Sequence, residues 1–325
     1  MSASMLAYVI FAAGFALLAL GGESFLRGAI GLSKVFGFPP VLIGLVTVSL
    51  GSTLPELSVV LQAATRGAPD IAIASIVGGN IFNILFVLGL AAIAGSIPCP
   101  PKIVFRDGGT MLISSLALTV ILASGFVEQR LGYILLFFFV IYLVLSFITD
   151  WRRPAPLSLA ESRALTRTHA PRLETSAVLA LFGLACLFVG GRFLVSGAMA
   201  IARMENLPQV VVGLTLVAAG TAVPTLVTTL LAVARGVTNM ISGQLISANI
   251  LNILFVLGIA ASIRTLNVPF EIRQADAYIV AASAGVAVAL MLPGWRITRT
   301  QGALLFLSYV GYLCFLAWRE GLFPA

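Results

Sequence analysis

Of the 12 acidic residues in this chain, ten fall in expected loops or near helix ends, and only Glu23 and Glu56 lie within long hydrophobic runs. Glu56 sits near the middle of its run, directly after Pro55 and close to the hydroxyls of Ser52 and Thr53. A carboxylate at that depth in an apolar segment is expensive enough to mark an ion or proton pathway by default, the bland alternative being a protonated or hydrogen-bonded group used for packing. Asn80 and Asn83, with Asn249 and Asn252 at the matching places later in the chain, add amide oxygens of the kind that ligate hard cations. A single asparagine serves helix packing as often as it binds an ion. Four at symmetric positions point to a cation site. No Walker-type GxxxxGK[ST] stretch is present and His169 stands alone in a polar loop, which disfavours an ATP-driven pump or an enzyme.

These residues need a frame that holds them away from water. Hydrophobic residues make up 60% of the 325 and charged residues 10%, with mean hydropathy +1.09, whereas a soluble domain carries about 25% charged residues. Ten hydrophobic runs are expected to span a hydrocarbon core of about 30 Å as helices: residues 6–34, 40–65, 71–95, 108–124, 131–149, 176–203, 209–234, 240–262, 277–292 and 301–318. The first lacks a basic segment before it and a small-residue cleavage site after it, and reads as a retained helix rather than a signal peptide. Cys99, Cys186 and Cys314 show no metal-ligand spacing and read as apolar filler.

The net charge of +7 would suggest a nucleic-acid partner for a soluble protein. Here the basic residues read as topology signals, and the expected surroundings are the lipid bilayer, with small inorganic cations as ligands and no nucleic acid. Alternate loops place eleven Lys and Arg on one side and six on the other, with Arg27 and Arg192 inside hydrophobic runs. The positive-inside rule then makes the eleven-residue side cytoplasmic and sets both termini outside, in the cell (inner) membrane. Nothing in the sequence names a protein partner.

Shifting the sequence by 169 residues, which lays Pro224 on Pro55, also matches Gly190-Gly191 to Gly21-Gly22, Pro208 to Pro39, Gly220 to Gly51 and Asp276 to Asp107. The segment NIFNILFVLG, residues 80–89, differs from NILNILFVLG, residues 249–258, at one position. Five spans per copy is an odd number, so the second copy enters the membrane from the opposite side. The expected fold is all-α and integral to the membrane, with ten transmembrane helices as two inverted five-helix repeats. Residues 1–149 form the first repeat, 150–175 a polar cytoplasmic linker and 176–325 the second repeat. Proteins built this way place their ion site near the midplane, often on interrupted helices. Pro55 and Pro224 are the expected interruptions, each freeing carbonyl oxygens of its helix. Gly78-Gly79 and Ser247-Ala248 read as close packing, Glu23 as a residue snorkelling to the interface, and Asp107 and Asp276 as helix N-caps.

The motifs GSTLPEL and GGNIFN in the first half, with GTAVPTL and SANILN in the second, resemble the sodium/calcium exchanger family of the cation/calcium exchanger superfamily. Together with the Gly-Gly stretches around Gly21 and Gly190, the resemblance covers nearly the whole chain apart from the central loop. It implies alternating access and a metal-ion site built from the second, third, seventh and eighth helices. Residue by residue it assigns Glu56, Ser52 and Asn83 from the first half, and Thr221, Asn252 and Thr225 from the second. Asn83 follows Glu56 by 27 residues and Asn252 follows Thr225 by 27.

Thr225 stands where the family's second glutamate belongs, Gly79 and Ala248 replace serines, and Ala222 replaces a hydroxyl. The implied activity is secondary antiport of calcium coupled to Na+ or H+, without a resident cofactor. A lone carboxylate leaves a divalent ion undercompensated, however, and one buried at that depth favours its protonated form. The charge count therefore supports the alternative of Na+ or K+ exchanged for H+. An organic-solute transporter and a non-transporting scaffold are the remaining readings.

Overall fold

The computed structural model describes residues 3–36, 49–152, 172–234 and 241–321, together with Gly236 and Thr238. Nearly all of them are helical, as long apolar runs without water must be, since only helices and closed barrels satisfy their own backbone groups in lipid. In chain order the helices are α1 (Ala3–Val35), α2 (Ser49–Thr65), α3 (Pro69–Ala94), α4 (Pro101–Ala123), α5 (Gln129–Arg152), α6 (Leu173–Met204), α7 (Gln209–Ala234), α8 (Ile241–Ile263), α9 (Ile272–Met291) and α10 (Arg299–Arg319). Among the described residues nine of these are long and apolar enough to cross a membrane. α2 is the C-terminal part of the run expected at 40–65, whose beginning lies outside the described residues, as does most of the 150–175 linker.

Burial separates the helices by role. The apolar windows of α3 and α8 are 94% and 72% buried, whereas those of α1, α5 and α10 are 22–28% buried and present large apolar side chains outward. The two helices carrying the asparagines are thus the interior of the molecule. α3 crosses α7 at very short range: a Cβ at Gly78 would overlap the backbone of Leu214, and Gly213 lies against Ala74. The outer helices α1 and α6 pack along their lengths, Gly14, Gly21 and Gly28 meeting α6 at Gly190, Gly183 and Ala180.

Two pairs of two-residue strands tie the loops together. Strand β1 (Ile97–Pro98), after α3, pairs antiparallel with β4 (Arg296–Ile297), before α10; β2 (Phe126–Val127), after α4, pairs with β3 (Leu266–Asn267), after α8. If each of the ten helices crosses once, the α3–α4 and α9–α10 loops share one side, and the α4–α5 and α8–α9 loops share the other. The pairings obey that parity, and each joins one half of the chain to the other. An all-helical expectation omitted these strands because isolated two-residue segments have no periodic signature; they exist where loops from the two halves meet.

The structure corrects two local expectations. Neither proline interrupts its helix: α2 runs through Pro55 and α7 through Pro224. The irregular turns are π-helical, at Phe82–Val87 and Val104–Gly108 in the first half and at Gly213–Val217, Asn252–Leu257 and Ile272–Asp276 in the second. Asp107 and Asp276 do not serve as N-caps either. Asp276 has helical backbone angles and makes no capping bond. It is fully buried, with Arg319 Nη1 2.9 Å from Oδ2 and the Tyr312 hydroxyl donating to Oδ1 at 2.9 Å. Asp107 is held by Arg106 at 2.8 and 2.9 Å and by the Tyr142 hydroxyl at 3.3 Å. A buried carboxylate needs a charged partner more than a helix start needs a cap; for Asp107 that partner is the adjacent Arg106, while Tyr142 of α5, and Tyr312 and Arg319 of α10, reach the two carboxylates from segments remote in sequence.

Candidate ion-binding site

A small buried crevice at the centre is lined by Glu56 and Val60 of α2, Ser75 and Ile76 of α3, Thr221 of α7 and Asn252 of α8. Both halves contribute, and all four helices expected to build the site take part. The local reasons are readable. Pro55 has no N–H for the carbonyl of Gly51, and Pro224 none for that of Gly220, so each helix brings backbone acceptors freed of their helical partners to the same level as Glu56 and Thr225. In α3 and α8 the π-turns begin at Phe82 and Asn252, where the extra residue per turn re-aims the side chains.

The oxygens of this region are left over. Oε2 of Glu56 and Oδ1 of Asn80, Asn83, Asn249 and Asn252 are buried without a hydrogen-bond partner. For Asn80 and Asn249 the amide orientation follows from the other end of the group, since Nδ2 donates to Ile76 O at 3.0 Å and to Leu245 O at 2.7 Å. Each amide is pinned one turn back on its own helix with its oxygen unused. The hydroxyls behave alike. Ser75 donates to Ala72 O at 3.0 Å and Thr221 to Ala218 O at 3.1 Å, which uses their protons and leaves lone pairs for another partner. An unpartnered buried acceptor is worth about 1–3 kcal/mol of destabilisation. Two of these acceptors, on Glu56 and Asn252, line the crevice itself and the other three lie on α3 and α8, two of the helices that wall it, an arrangement that suits a cation.

Of the residues expected in the site, Glu56, Thr221 and Asn252 line the crevice. Asn83 is buried with an unpartnered oxygen, and Thr225 is buried one turn beyond Thr221. The side chain of Ser52 lies outside the described residues. Sequence reading missed Ser75, whose signal was a lone hydroxyl in the apolar run 71–77. It also missed Thr229, fully buried with an unpartnered hydroxyl, which continues the Thr221–Thr225 line where the first half has Val60. Ser247 is not merely a packing residue, since its Oγ lies 3.4 Å from the Tyr142 hydroxyl. Glu23 is exposed, bonded to Arg27 at 2.6 Å, and does not line the crevice. Among the described residues no three Asp, Glu, His or Cys side chains come together, so the oxygens available to an ion are mostly neutral.

Gly79 adds a specific gap. A Cβ there would meet only Asn252 Nδ2, at 3.7 Å, so the missing side chain leaves room beside the second-half ligand.

A family model described as sodium/calcium exchanger protein matches residues 6–148 and 175–318. The inner membrane protein YrbG of Escherichia coli is 31% identical over 97% of this chain and 98% of its own length. Sodium/calcium exchanger MaX1 of Methanosarcina acetivorans is 26% identical over 95% of this chain and 98% of its own. Among solved structures, the sodium-calcium exchanger NCX_Mj soaked with Na+ and Sr2+ superposes with TM-score 0.66 at 27% identity, covering 96% of this chain and 98% of that one.

Proposed function

This chain belongs to the sodium/calcium exchanger family, and we propose that it exchanges Ca2+ for Na+ across the membrane at the crevice around Glu56. It is an integral membrane protein and a secondary cation antiporter. The observation that carries the site is the crevice itself, where a carboxylate oxygen of Glu56 and the amide oxygen of Asn252, one from each half of the chain, are both buried without a hydrogen-bond partner.

Glu56 supplies the single charged ligand. Asn83, Asn252, Thr221, Thr225 and Ser52 complete the shell, with Ser75 and the carbonyls freed by the two prolines alongside. Ca2+ accepts 6–8 oxygens in flexible geometry, so a shell rich in neutral donors can hold it with an affinity lowered by its small charge count. The likeness to proteins described as sodium/calcium exchangers supports Ca2+ and Na+ as the exchanged pair over a monovalent cation traded for H+. The crevice is small and walled by α2, α3, α7 and α8, so an ion held there exchanges most of its hydration for protein oxygens and is released as the surrounding helices part. Residues 1–149 and 176–325 act as the two inverted repeats that part in this way, joined by the 150–175 linker. The excess of basic residues on the linker side sets both termini outside the cell (inner) membrane.

The test is uptake of radioactive Ca2+ into proteoliposomes under an outward Na+ gradient. Gradient-driven uptake in the wild type and its loss in Glu56→Gln is the expected result. Uptake undiminished by Glu56→Gln would remove Glu56 from the site, and Na+- or K+-coupled proton movement without Ca2+ uptake would reassign the ions.

A further inference from the structure

Consecutive helices α9 and α10 leave a groove between them, of about 340 Å3, because α9 leans on α4 while α10 leans on α3. Its floor is Leu85 of α3, inside the π-turn that also holds Asn83. Ala282 and Val286 of α9 and Ser308, Gly311 and Phe315 of α10 form its walls. Pockets that hold small ligands occupy roughly 300–1,000 Å3.

The two halves differ at this place. α4 and α9 align through Asp107 and Asp276, and α5 and α10 through Gly132 and Gly302, Leu135 and Leu305, and Tyr142 and Tyr312. On that alignment Ile113, Phe138 and Ile141 occupy the positions of Ala282, Ser308 and Gly311. The second half thus carries smaller side chains at three positions where the first half presents bulky, outward-facing ones.

The chemistry of the groove selects its occupant. Ser283 donates to Val280 O and Ser308 to Leu304 O, both at 2.8 Å, and Tyr312 donates to Asp276, so these hydroxyl protons are turned away from the opening. No charged side chain lines it. It is continuous with the lipid-facing surface of the same two helices, where Tyr278, Leu304 and Leu307 are all more than half exposed. Hydrocarbon is the solvent on that surface, and a groove without unsatisfied polar groups gains dispersion contacts when a chain fills it.

We propose that the groove between α9 and α10 is a binding site for one acyl chain of a membrane phospholipid, which packs against Leu85 behind the ion-binding stretch of α3.

The test is photolabelling of the full-length protein in phosphatidylcholine–phosphatidylglycerol vesicles containing phosphatidylcholine with a diazirine in mid-chain, adducts being mapped by mass spectrometry. Wild type should be labelled preferentially at groove residues of α9 and α10. A Cβ at Gly311 meets nothing within 4 Å, so Gly311→Leu and the paired Ser308→Phe/Gly311→Ile fill the groove without a backbone clash. In either variant groove adducts should fall at least fivefold while those at Leu304 and Leu307 are unchanged. Gly311→Leu also serves if the double variant fails to fold, as judged by its melting curve. Equal labelling of groove and outer surface in the wild type, or groove adducts that persist in a folded filled variant, would overturn the proposal.

Discussion

Glu56 and Asn252 come from opposite halves of the chain yet line the same buried crevice, and each keeps an oxygen with no hydrogen-bond partner. One brings charge and the other only a dipole, and this difference sets what their removal should do.

Glu56→Gln removes the charged ligand and is expected to abolish gradient-driven exchange. Asn252→Ala removes a neutral ligand worth about 1 kcal/mol, so ion affinity should fall about fivefold with exchange retained. Isothermal titration of Ca2+ into the detergent-solubilised protein, paired with flux in proteoliposomes, separates the two effects.

Thr225 occupies the place equivalent to Glu56 and is buried. Because Ca2+ affinity follows ligand charge, Thr225→Glu should raise affinity for Ca2+ relative to Na+. Gly79→Ser, whose Cβ has room beside Asn252, should add a hydroxyl ligand and act in the same direction. Competition of Na+ against bound Ca2+ reads both, and unchanged selectivity in Thr225→Glu would place position 225 outside the site.

The Asp276–Arg319 pair predicts a stability effect without a site effect. Removing one partner of a buried pair costs about 3–5 kcal/mol because the other is left uncompensated. Arg319→Gln should therefore lower the melting temperature sharply, and Asp276→Asn added to Arg319→Gln should recover part of the loss. Additive losses in the double variant would show that the two side chains do not interact.

Cys99 lies in the loop between α3 and α4, and burial pushes its thiol from about 9 up to about 11. A group that holds its proton more tightly when folded contributes nothing to pH dependence below the unfolded value. Its stabilisation is lost as pH rises from about 9 toward 11, where the unfolded chain has ionised and the folded one has not. The melting temperature should accordingly drop over that window, and less so in Cys99→Ala. At neutral pH Cys99 should resist maleimide labelling until the protein unfolds.

Gly78 faces the backbone of Leu214 with no space for a side chain. Gly78→Val should force α3 from α7, destabilising the protein by about 1–3 kcal/mol and slowing exchange. Wild-type melting and transport in this variant would show that the two helices are not held at that distance in the working protein.

The sequence by itself determined the elements and the chemistry of the centre. Apolar run length dictates membrane helices, and an odd number of spans per repeat dictates inversion. The price of a carboxylate in hydrocarbon singles out Glu56, and repetition singles out the four asparagines. These are local or periodic properties, readable one segment at a time. Only the tertiary structure decided which acceptors stay unpartnered, that Asp107 and Asp276 answer arginines and tyrosines instead of capping helices, and that α2 and α7 run unbroken through their prolines. It alone placed Ser75 and Thr229, paired the strands across the two halves and opened the groove between α9 and α10. The physical reason is that hydrogen-bond satisfaction and empty volume belong to pairs of surfaces, and Gly78 against Leu214, or Gly311 against nothing, cannot be told apart until the second surface is in place.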